Sequence, residues 1–173
     1  MWEIIFGVLA GIFVLVVLIG TFLPSKLKFS RTLSIDAERK TIFGYLEDLH
    51  KWKLWSQWSP ENDAPITFTH EGKEKGSGAM MRWKGRKMGA GKIEIKECVP
   101  HKFLMAEISF SSGFKLQSFF ELIQDGNTTH VTWRMEGKIK RFGVARFIGL
   151  MIPRWMGKDM QTALKILKMH SEK

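Results

Sequence analysis

The amino-acid sequence predicts an α+β protein in which a strongly curved antiparallel sheet wraps around a long C-terminal helix, preceded by one transmembrane helix. Three observations lead to this fold class: an uncharged apolar segment at the N-terminus, a series of short alternating segments divided by turn residues, and apolar residues at helical spacing near the C-terminus. The 173 residues are 45% hydrophobic and 25% charged, which suits one globular domain with its own core.

The N-terminal segment predicts a transmembrane anchor over residues 1–25. Ile4–Leu23 contains no charged residue and, as a helix, would measure about 30 Å, the thickness of the hydrocarbon core of a bilayer. A cleaved signal peptide would begin with basic residues and end at small ones, whereas this segment follows Glu3 and lacks an A-x-A pattern before Lys26. A buried core helix would show a polar stripe, and this segment has none.

The charges that flank the anchor predict its orientation. Glu3 precedes the span, while Lys26, Lys28 and Arg31 follow it closely, and positive residues prefer the cytoplasmic side of a membrane. Residues 26–173 are therefore expected to form one domain in the cytoplasm. The single cysteine, Cys98, agrees with a reducing compartment and excludes an internal disulfide framework.

The excess of basic residues predicts an anionic partner surface. Lys and Arg number 27 against 17 Asp and Glu, a formal charge of +10, and anionic lipid headgroups beside the anchor explain this charge most simply. Nucleic acid competes as a partner because residues 82–87 mix cations with an aromatic ring, but no recognised nucleic-acid motif accompanies them. A protein partner within a membrane complex remains an alternative.

After the anchor, the pattern predicts one strand, two short helices and six further strands. Lys28–Ile35 alternates apolar and polar residues, and Asp36 is the expected N-cap of the helix that follows. Trp52–Pro60 is expected to form a short helix or turn that ends at the proline. The six strand-like segments lie near Ile66–His70, Ala79–Lys84, Gly91–Cys98, Lys102–Phe110, Phe114–Ile123 and Thr128–Glu136.

The C-terminal segment predicts the long helix. Met156, Met160, Leu164 and Leu167 recur at three and four residues, and Pro153 is expected to break or restart the helix just before them. A curved antiparallel sheet that grips such a helix leaves a space between the two elements, often large enough for an apolar ligand.

Four stretches of the chain carry a family resemblance. They are Ser34–Ala37 followed by Ile42 and Phe43, the W-x-x-W-x-x-W pattern of Trp52, Trp55 and Trp58, the glycine-punctuated hairpin Gly76–Gly91, and the last strand and helix start at Thr129–Gly137 and Met156–Asp159. Together they resemble the polyketide cyclase/dehydrase-type branch of the START/Bet v 1-like (SRPBCC) superfamily over nearly the whole chain. Lys53 and Gln57 stand where members commonly carry prolines.

This resemblance implies a helix-grip fold with a hydrophobic cavity. Members of the superfamily bind or transform lipids, sterols, polyketides and other apolar molecules. Many bacterial members carry an N-terminal hydrophobic helix, which implies a bacterial inner membrane as the location. The family has no invariant catalytic residue that could be carried over to this chain.

Eight apolar side chains are predicted to line the ligand cavity. Apolar walls with few polar groups favour lipid-like ligands, and methionine side chains adapt to variable ones. The residues are Trp55, Trp83, Leu116, Phe120, Trp133, Met135, Met156 and Met160. The same positions also suit plain core packing, and the tryptophan cluster suits a structural plug that closes one end of the sheet.

Few polar residues could support chemistry. The five histidines lack metal-ligand spacing, and only His70 and His130 are candidates for a general base. Gly76–Gly78 is not followed by a helix start, which argues against a nucleotide site. We therefore predict no catalytic residue, no metal and no cofactor. Arg31 shares the apolar face of its strand, so it either needs an anionic group inside the fold or lies at the end of the sheet near lipid headgroups.

Three functions remain open from the sequence. The first is a membrane-anchored binding module for an apolar or lipid-like small molecule, without catalysis. The second is a polyketide cyclase- or dehydratase-like enzyme that uses the same cavity, and the third is a non-catalytic subunit of a membrane complex. Because the inward positions offer mostly Phe, Leu, Met and Trp rather than convergent ionisable groups, binding is favoured over catalysis.

Overall fold

The computed structural model describes residues 1–139 and 144–173 of the chain. It contains four α-helices, one 3₁₀ turn and seven strands in these ranges. In chain order they are α1 Trp2–Phe22, β1 Lys26–Ile35, α2 Arg39–Leu46, the 3₁₀ turn Leu49–Lys51, α3 Trp52–Trp55, β2 Thr67–Gly72, β3 Ala79–Lys84, β4 Ala90–Val99, β5 Phe103–Phe110, β6 Lys115–Asp125, β7 Thr128–Lys138 and α4 Val144–Ser171.

The seven strands form one antiparallel sheet in the order β1-β7-β6-β5-β4-β3-β2. Alternate residues of β6 and β7 are buried, as period-2 side-chain alternation requires of a sheet with one covered face. A register shift between Ile95 and Glu97, where β4 pairs with β5, gives the irregularity that bends an antiparallel sheet. The predicted α+β fold, a curved sheet with a terminal helix, is confirmed.

Helix α4 runs along β1 over the covered face of the sheet. Near its start, the Arg146 guanidinium donates to the carbonyl oxygen of Leu23 at 2.9 Å. In the middle of the helix, Gly157 lies against the Arg31 side chain, and near its end Lys168 Nζ donates to the Ser34 carbonyl at 3.0 Å. The helix and β1 therefore point in the same direction, away from α1.

Two predicted details of the helices are wrong. Pro153 lies inside α4, which continues through it, because the turns on both sides are held: Gly149 lies against Ile139 and Gly157 against Arg31. The N-cap of α2 is Glu38 rather than Asp36. The Asp36 carboxylate is engaged elsewhere, since it accepts a hydrogen bond from Thr128 Oγ1 at 2.8 Å.

Helix α1 is long and apolar enough to cross a membrane, with a mean hydropathy of 2.9 over its most apolar window. Its side chains are exposed almost throughout, and Gly20 is its buried residue. Arg146 donates to the carbonyl oxygens of Thr21 and Leu23, which lack intrahelical partners at a helix C-terminus. The domain boundary at residue 25 falls between α1 and β1 and stays a prediction.

The two ends of the sheet differ in which helix adjoins them. The end where β1 begins, next to α1, is called the α1 end. The opposite end, where β1 leads into α2, is called the far end. Three residues separate the last residue of α1, Phe22, from the first residue of β1, Lys26.

Candidate functional site

An aromatic cluster occupies the space between the sheet and the helices. The rings of Phe120 and Trp133, which are paired across β6 and β7, stack with their centroids 4.9 Å apart. Trp55 of α3 meets Trp133 at 5.8 Å and Phe120 at 6.0 Å, both edge to face. Trp52 adds a further edge-to-face contact with Phe120 at 6.0 Å. These geometries are the favourable ones for aromatic pairs, so the cluster is a packed core.

Hydrogen bonds fix the orientation of two indoles of this cluster, those of Trp133 and Trp52. Trp133 Nε1 donates to Ser118 Oγ at 2.7 Å, and both groups lie on the covered face of neighbouring strands. Trp52 Nε1 donates to the Leu46 carbonyl at 2.9 Å, at the end of α2. A buried indole N–H needs such an acceptor, and each bond ties one element to another.

The eight residues predicted to line a cavity lie on the covered side of the fold, but they form more than one group. Trp55, Phe120 and Trp133 are in mutual ring contact. Met135 and Met160 are buried beside that core, and Met156 is half-buried on α4. Trp83 and Leu116 lie toward the α1 end. That these eight side chains line a ligand space stays a prediction, since the aromatic members contact one another.

Trp83 is seated by a glycine on the neighbouring strand. The two residues are register partners in β3 and β4, and a Cβ on Gly91 would overlap the indole ring and approach the Ser109 carbonyl oxygen at 2.6 Å. The Trp83 ring centroid also lies 5.5 Å from the ring centroid of Trp58 and 5.5 Å from that of Phe110. Glycine at this position therefore makes room for the largest side chain of the sheet at the α1 end.

A groove of about 770 Å³ opens at the α1 end of the sheet, between the β5–β6 hairpin and the strands β7 and β1. We call it the sheet-end groove. It combines an apolar floor with a charged rim, and Leu116 is the predicted cavity residue that it contains. Its lining comprises Lys26, Glu107, Ser112, Gly113, Phe114, Lys115, Leu116, Gln117, Glu136, Gly137, Lys138 and Ile139.

A second groove, of about 470 Å³, lies beside the first at the same end of the sheet. It follows the start of β2, the end of β3, the start of β4 and the end of β5. Trp83 is the predicted cavity residue in its lining, next to Gly91 and Phe110. Both concave regions therefore lie at the end of the sheet that adjoins α1.

The rim of the sheet-end groove is rich in lysine. Lys26 and Lys138 are register partners on β1 and β7, and neither forms an ion pair with a residue that the structure describes. Lys115 pairs with Glu107 at 3.2 Å. Glu136 pairs with Lys28 at 3.2 Å, and this partner lowers the pKa of the Glu136 carboxyl. The rim therefore presents more positive than negative charge.

Sequence reasoning missed most of the sheet-end groove. Lys138 and Ile139 were not singled out, because nothing in the sequence shows which residue of β7 faces the start of β1. The strand register decides that placement. An available signal was the basic residue directly after the apolar segment, Lys26, which had to lie at the end of the sheet beside α1.

The two histidines considered as general bases lie away from the aromatic cluster. His130 is on the outer face of β7, where its Nδ1 is 2.9 Å from Ser34 Oγ. His70 stacks on His50 with ring centroids 3.8 Å apart, and desolvation, with the charge of His50 second, lowers the pKa of His70. Within the described residues, no three His, Cys, Asp or Glu side chains are grouped as a metal site requires.

A loop carboxylate holds the tryptophan segment against the β3–β4 hairpin. Asp63 is buried, and its Oδ2 accepts hydrogen bonds from the backbone N–H groups of Lys87 and Met88 at 2.9 and 3.0 Å. The bond from Met88 is the main reason why the pKa of this carboxyl is lowered. Asp63 thus positions the loop that carries Trp58 and was not identified from the sequence.

Comparison with known proteins places the fold in a family context. A family model described as "Polyketide cyclase / dehydrase and lipid transport" matches residues 26–172. No curated protein sequence matches the chain.

Similar solved structures share the fold at low sequence identity. Protein CV1439 from Chromobacterium violaceum is 14% identical, with a TM-score of 0.62 over 87% of this chain and 99% of its own. The di-domain ARO/CYC StfQ from the steffimycin biosynthetic pathway is 11% identical, with a TM-score of 0.65 over 85% of this chain and 51% of its own. Ara h 8.0201 is 12% identical, with a TM-score of 0.63 over 84% of this chain and 97% of its own.

Proposed function

Because this chain belongs to the polyketide cyclase/dehydrase and lipid transport family, we propose that it is a membrane-anchored module that binds an apolar or lipid-like small molecule without transforming it. In this proposal, α1 spans the membrane and the sheet-end groove is the mouth through which the ligand reaches the space between sheet and α4. The observation that carries the proposal is the position of the groove, which opens at the end of the sheet next to α1.

The surface around α1 supports this placement. The first half of α4, which contacts α1, exposes Leu150, Met151 and Trp155, and Trp155 is 55% exposed. Exposed tryptophan is enriched where lipid headgroups meet the hydrocarbon of a membrane, so this part of α4 suits a position close to the bilayer surface. Lys26 and Lys28 lie within six residues of the end of α1, which favours the cytoplasmic side of a bacterial inner membrane for the domain.

In this proposal, the ligand passes from the groove toward the predicted cavity residues. Leu116 belongs both to the groove and to the covered face of β6, where Ser118 and Phe120 follow at alternate positions. Met135 is the register partner of Ser118, and Met160 of α4 is buried in the same core. Flexible methionine side chains beside the rigid rings let the interior adjust when a ligand enters. The buried Ser118 hydroxyl on this face is engaged by the Trp133 indole N–H, which favours binding over catalysis.

Ligand binding by the full-length chain tests the proposal. The protein is reconstituted in phosphatidylcholine nanodiscs, and binding of a fluorescent fatty acid is measured with empty nanodiscs subtracted. We expect a dissociation constant of about 1 µM, equivalent to about 8 kcal/mol. Phe114→Asp, which places a charge in the floor of the groove, should weaken binding about tenfold or more through the cost of burying that charge.

The matched control is Ile123→Asp, near the far end of β6, the strand that Phe114 precedes; the Ile123 side chain is 65% exposed. This variant should bind like the wild type. A folded wild-type protein that binds no apolar probe would overturn the proposal and favour the interaction-subunit alternative. Conversion of a bound polyketide-like probe would favour the enzyme.

A further inference from the structure

Arg31 is a cation on the covered face of the fold. It lies in the middle of β1, and it shares its face with Phe29 and Leu33. Its register partner is Trp133 of the aromatic cluster. The sequence left open a position at the end of the sheet near lipid headgroups, and the structure instead places the side chain against α4, half-buried.

The guanidinium has no anionic partner within the part of the chain that the structure describes. Its Nη1 donates to the carbonyl oxygen of the neighbouring residue, Ser30, at 2.7 Å. No carboxylate of the described residues forms an ion pair with it. Nε and Nη2, which form one edge of the planar group, have no hydrogen-bond acceptor there. At this half-buried position beside apolar side chains the guanidinium loses part of its hydration, and an anion would compensate that loss.

A glycine of helix α4, Gly157, leaves room for this guanidinium. Gly157 is buried at the point of contact, and a Cβ there would approach Arg31 Cζ at 2.9 Å and Nη2 more closely still. Glycine in the middle of a helix costs up to about 1 kcal/mol relative to alanine. The helix thus carries a residue of low helix propensity at the position where any side chain would force the guanidinium to shift.

We propose that Arg31 binds the acidic headgroup, a carboxylate or a phosphate, of an otherwise apolar ligand held between the sheet and α4. The free edge of the guanidinium offers two parallel N–H donors, the arrangement that pairs with a carboxylate or phosphate in two hydrogen bonds. The rings beside Arg31 are packed against one another, so in this proposal the apolar part of the ligand enters as the flexible methionine side chains of the interior rearrange. This inference rests on the proposed function and specifies its ligand as an anionic amphiphile.

The test compares an acid with its neutral ester. Palmitate and methyl palmitate, each ¹³C-labelled at the carboxyl carbon, are added to the full-length protein in phosphatidylcholine nanodiscs at alkaline pH. Protein-bound and bilayer-bound signals in the NMR spectrum give the protein-to-bilayer partition ratio of each probe. We expect the wild type to prefer the acid, and Arg31→Gln to reduce the ratio for palmitate about tenfold or more while leaving that of the ester unchanged.

Three further variants separate the headgroup contact from other effects. Gly157→Ala keeps the charge and the helix but displaces the guanidinium, so it should lose the preference for the acid as Arg31→Gln does. Arg31→Lys keeps the charge without the paired donors and should recover part of the preference. Arg154→Gln removes an exposed arginine one turn away on α4 and should behave as the wild type.

The outcomes distinguish a failure of the headgroup site from a failure of the proposed function. If the ester binds and the acid gains no preference, or if the preference survives in Gly157→Ala and Arg31→Gln, the headgroup site is overturned while the proposed function stands. If neither probe gives a protein-bound signal in the folded wild type, the proposed function fails and the headgroup site fails with it. Circular dichroism establishes folding for each variant, and Gly157→Ala and Arg31→Lys decide the question if Arg31→Gln does not fold.

Discussion

The far end and the α1 end of the sheet are closed in different ways. At the far end, Thr129 Oγ1 donates to the Ala37 carbonyl at 2.7 Å, and the backbone N–H of Arg39 donates to Gln124 Oε1 at 2.8 Å. These bonds hold α2 against β6 and β7. At the α1 end, both grooves open, and lysines face each other across β1 and β7. The far end is thus closed by hydrogen bonds that tie the start of α2 to the sheet, whereas parts of the α1 end stay accessible through the two grooves.

This difference suggests a division of roles between stability and ligand access. A domain that admits a ligand needs one region that can open at low cost, and such regions are those with few buried contacts. The aromatic cluster of Trp52, Trp55, Phe120 and Trp133 lies between the two ends and is fully packed. Substitutions in the cluster and at the far end should therefore change stability, and substitutions at the α1 end should change binding.

The largest effect is expected in the aromatic cluster. Trp55 is fully buried, so Trp55→Ala should lower the free energy of unfolding by about 3–5 kcal/mol, through lost burial and the cavity left behind. The measurement is urea unfolding followed by circular dichroism. Trp155→Ala, at an exposed tryptophan on α4, should change it by less than about 0.5 kcal/mol. Equal losses in the two variants would show that the cluster is not the main core.

The far end should show the next largest effect. Thr129→Val keeps the shape of a fully buried side chain but removes the hydroxyl, whose single proton is donated to the Ala37 carbonyl at 2.7 Å. We expect a loss of about 1–3 kcal/mol in the free energy of unfolding. Thr132→Val, on the exposed face of β7, is the control and should cost less. Fatty-acid binding should be unchanged in Thr129→Val, and a parallel loss of binding would contradict the division between the two ends.

The sequence could predict those features of the fold that depend on local pattern. Alternation and helical spacing identified every strand and the long helix, because both patterns report on which face is buried. The same burial brought the predicted Trp55, Phe120 and Trp133 together. The groove, the Lys26–Lys138 pair and the place of Arg31 beside Gly157 depend on strand register and on where α4 lies over the sheet. Neither follows from local pattern.

A smaller effect is expected at the rim of the sheet-end groove. Lys26 and Lys138 are directly opposite on neighbouring strands, and like charges in that arrangement destabilise a sheet. Lys138→Glu should therefore raise the free energy of unfolding by about 0.2–1 kcal/mol at low salt, with the gain reduced at high salt. Lys165→Glu, at an exposed position of α4, makes the same charge change without a cross-strand lysine and should give no gain. A gain of equal size in both variants would assign the effect to net charge alone.

The smallest effect concerns pH and the far end. His70 lies in the second half of β2 and stacks on His50 of the 3₁₀ turn. Burial, followed by the charge of His50, lowers the pKa of His70 below its ordinary value of 6.5. In the unfolded chain His70 therefore binds a proton at a higher pH than in the folded domain. Above pH 6.5 His70 is neutral in both states and does not reduce the free energy of unfolding. As the pH falls from there toward the folded-state pKa, the unfolded chain takes up a proton first, so the free energy of unfolding decreases.

Urea unfolding between pH 8 and pH 5 measures this dependence. The wild type should lose stability as the pH falls, and His70→Gln should flatten the profile because it removes the titrating group. Carboxyls whose pKa is lowered, such as that of Glu136, change the free energy of unfolding only as the pH approaches their ordinary pKa of 4.5. The pH dependence between pH 8 and pH 5 therefore comes largely from His70. Because the stack lies away from both grooves, palmitate binding should follow the titration of the probe and should be the same in wild type and His70→Gln. If the free energy of unfolding of His70→Gln depended on pH as steeply as that of the wild type, the pH dependence would belong to other groups.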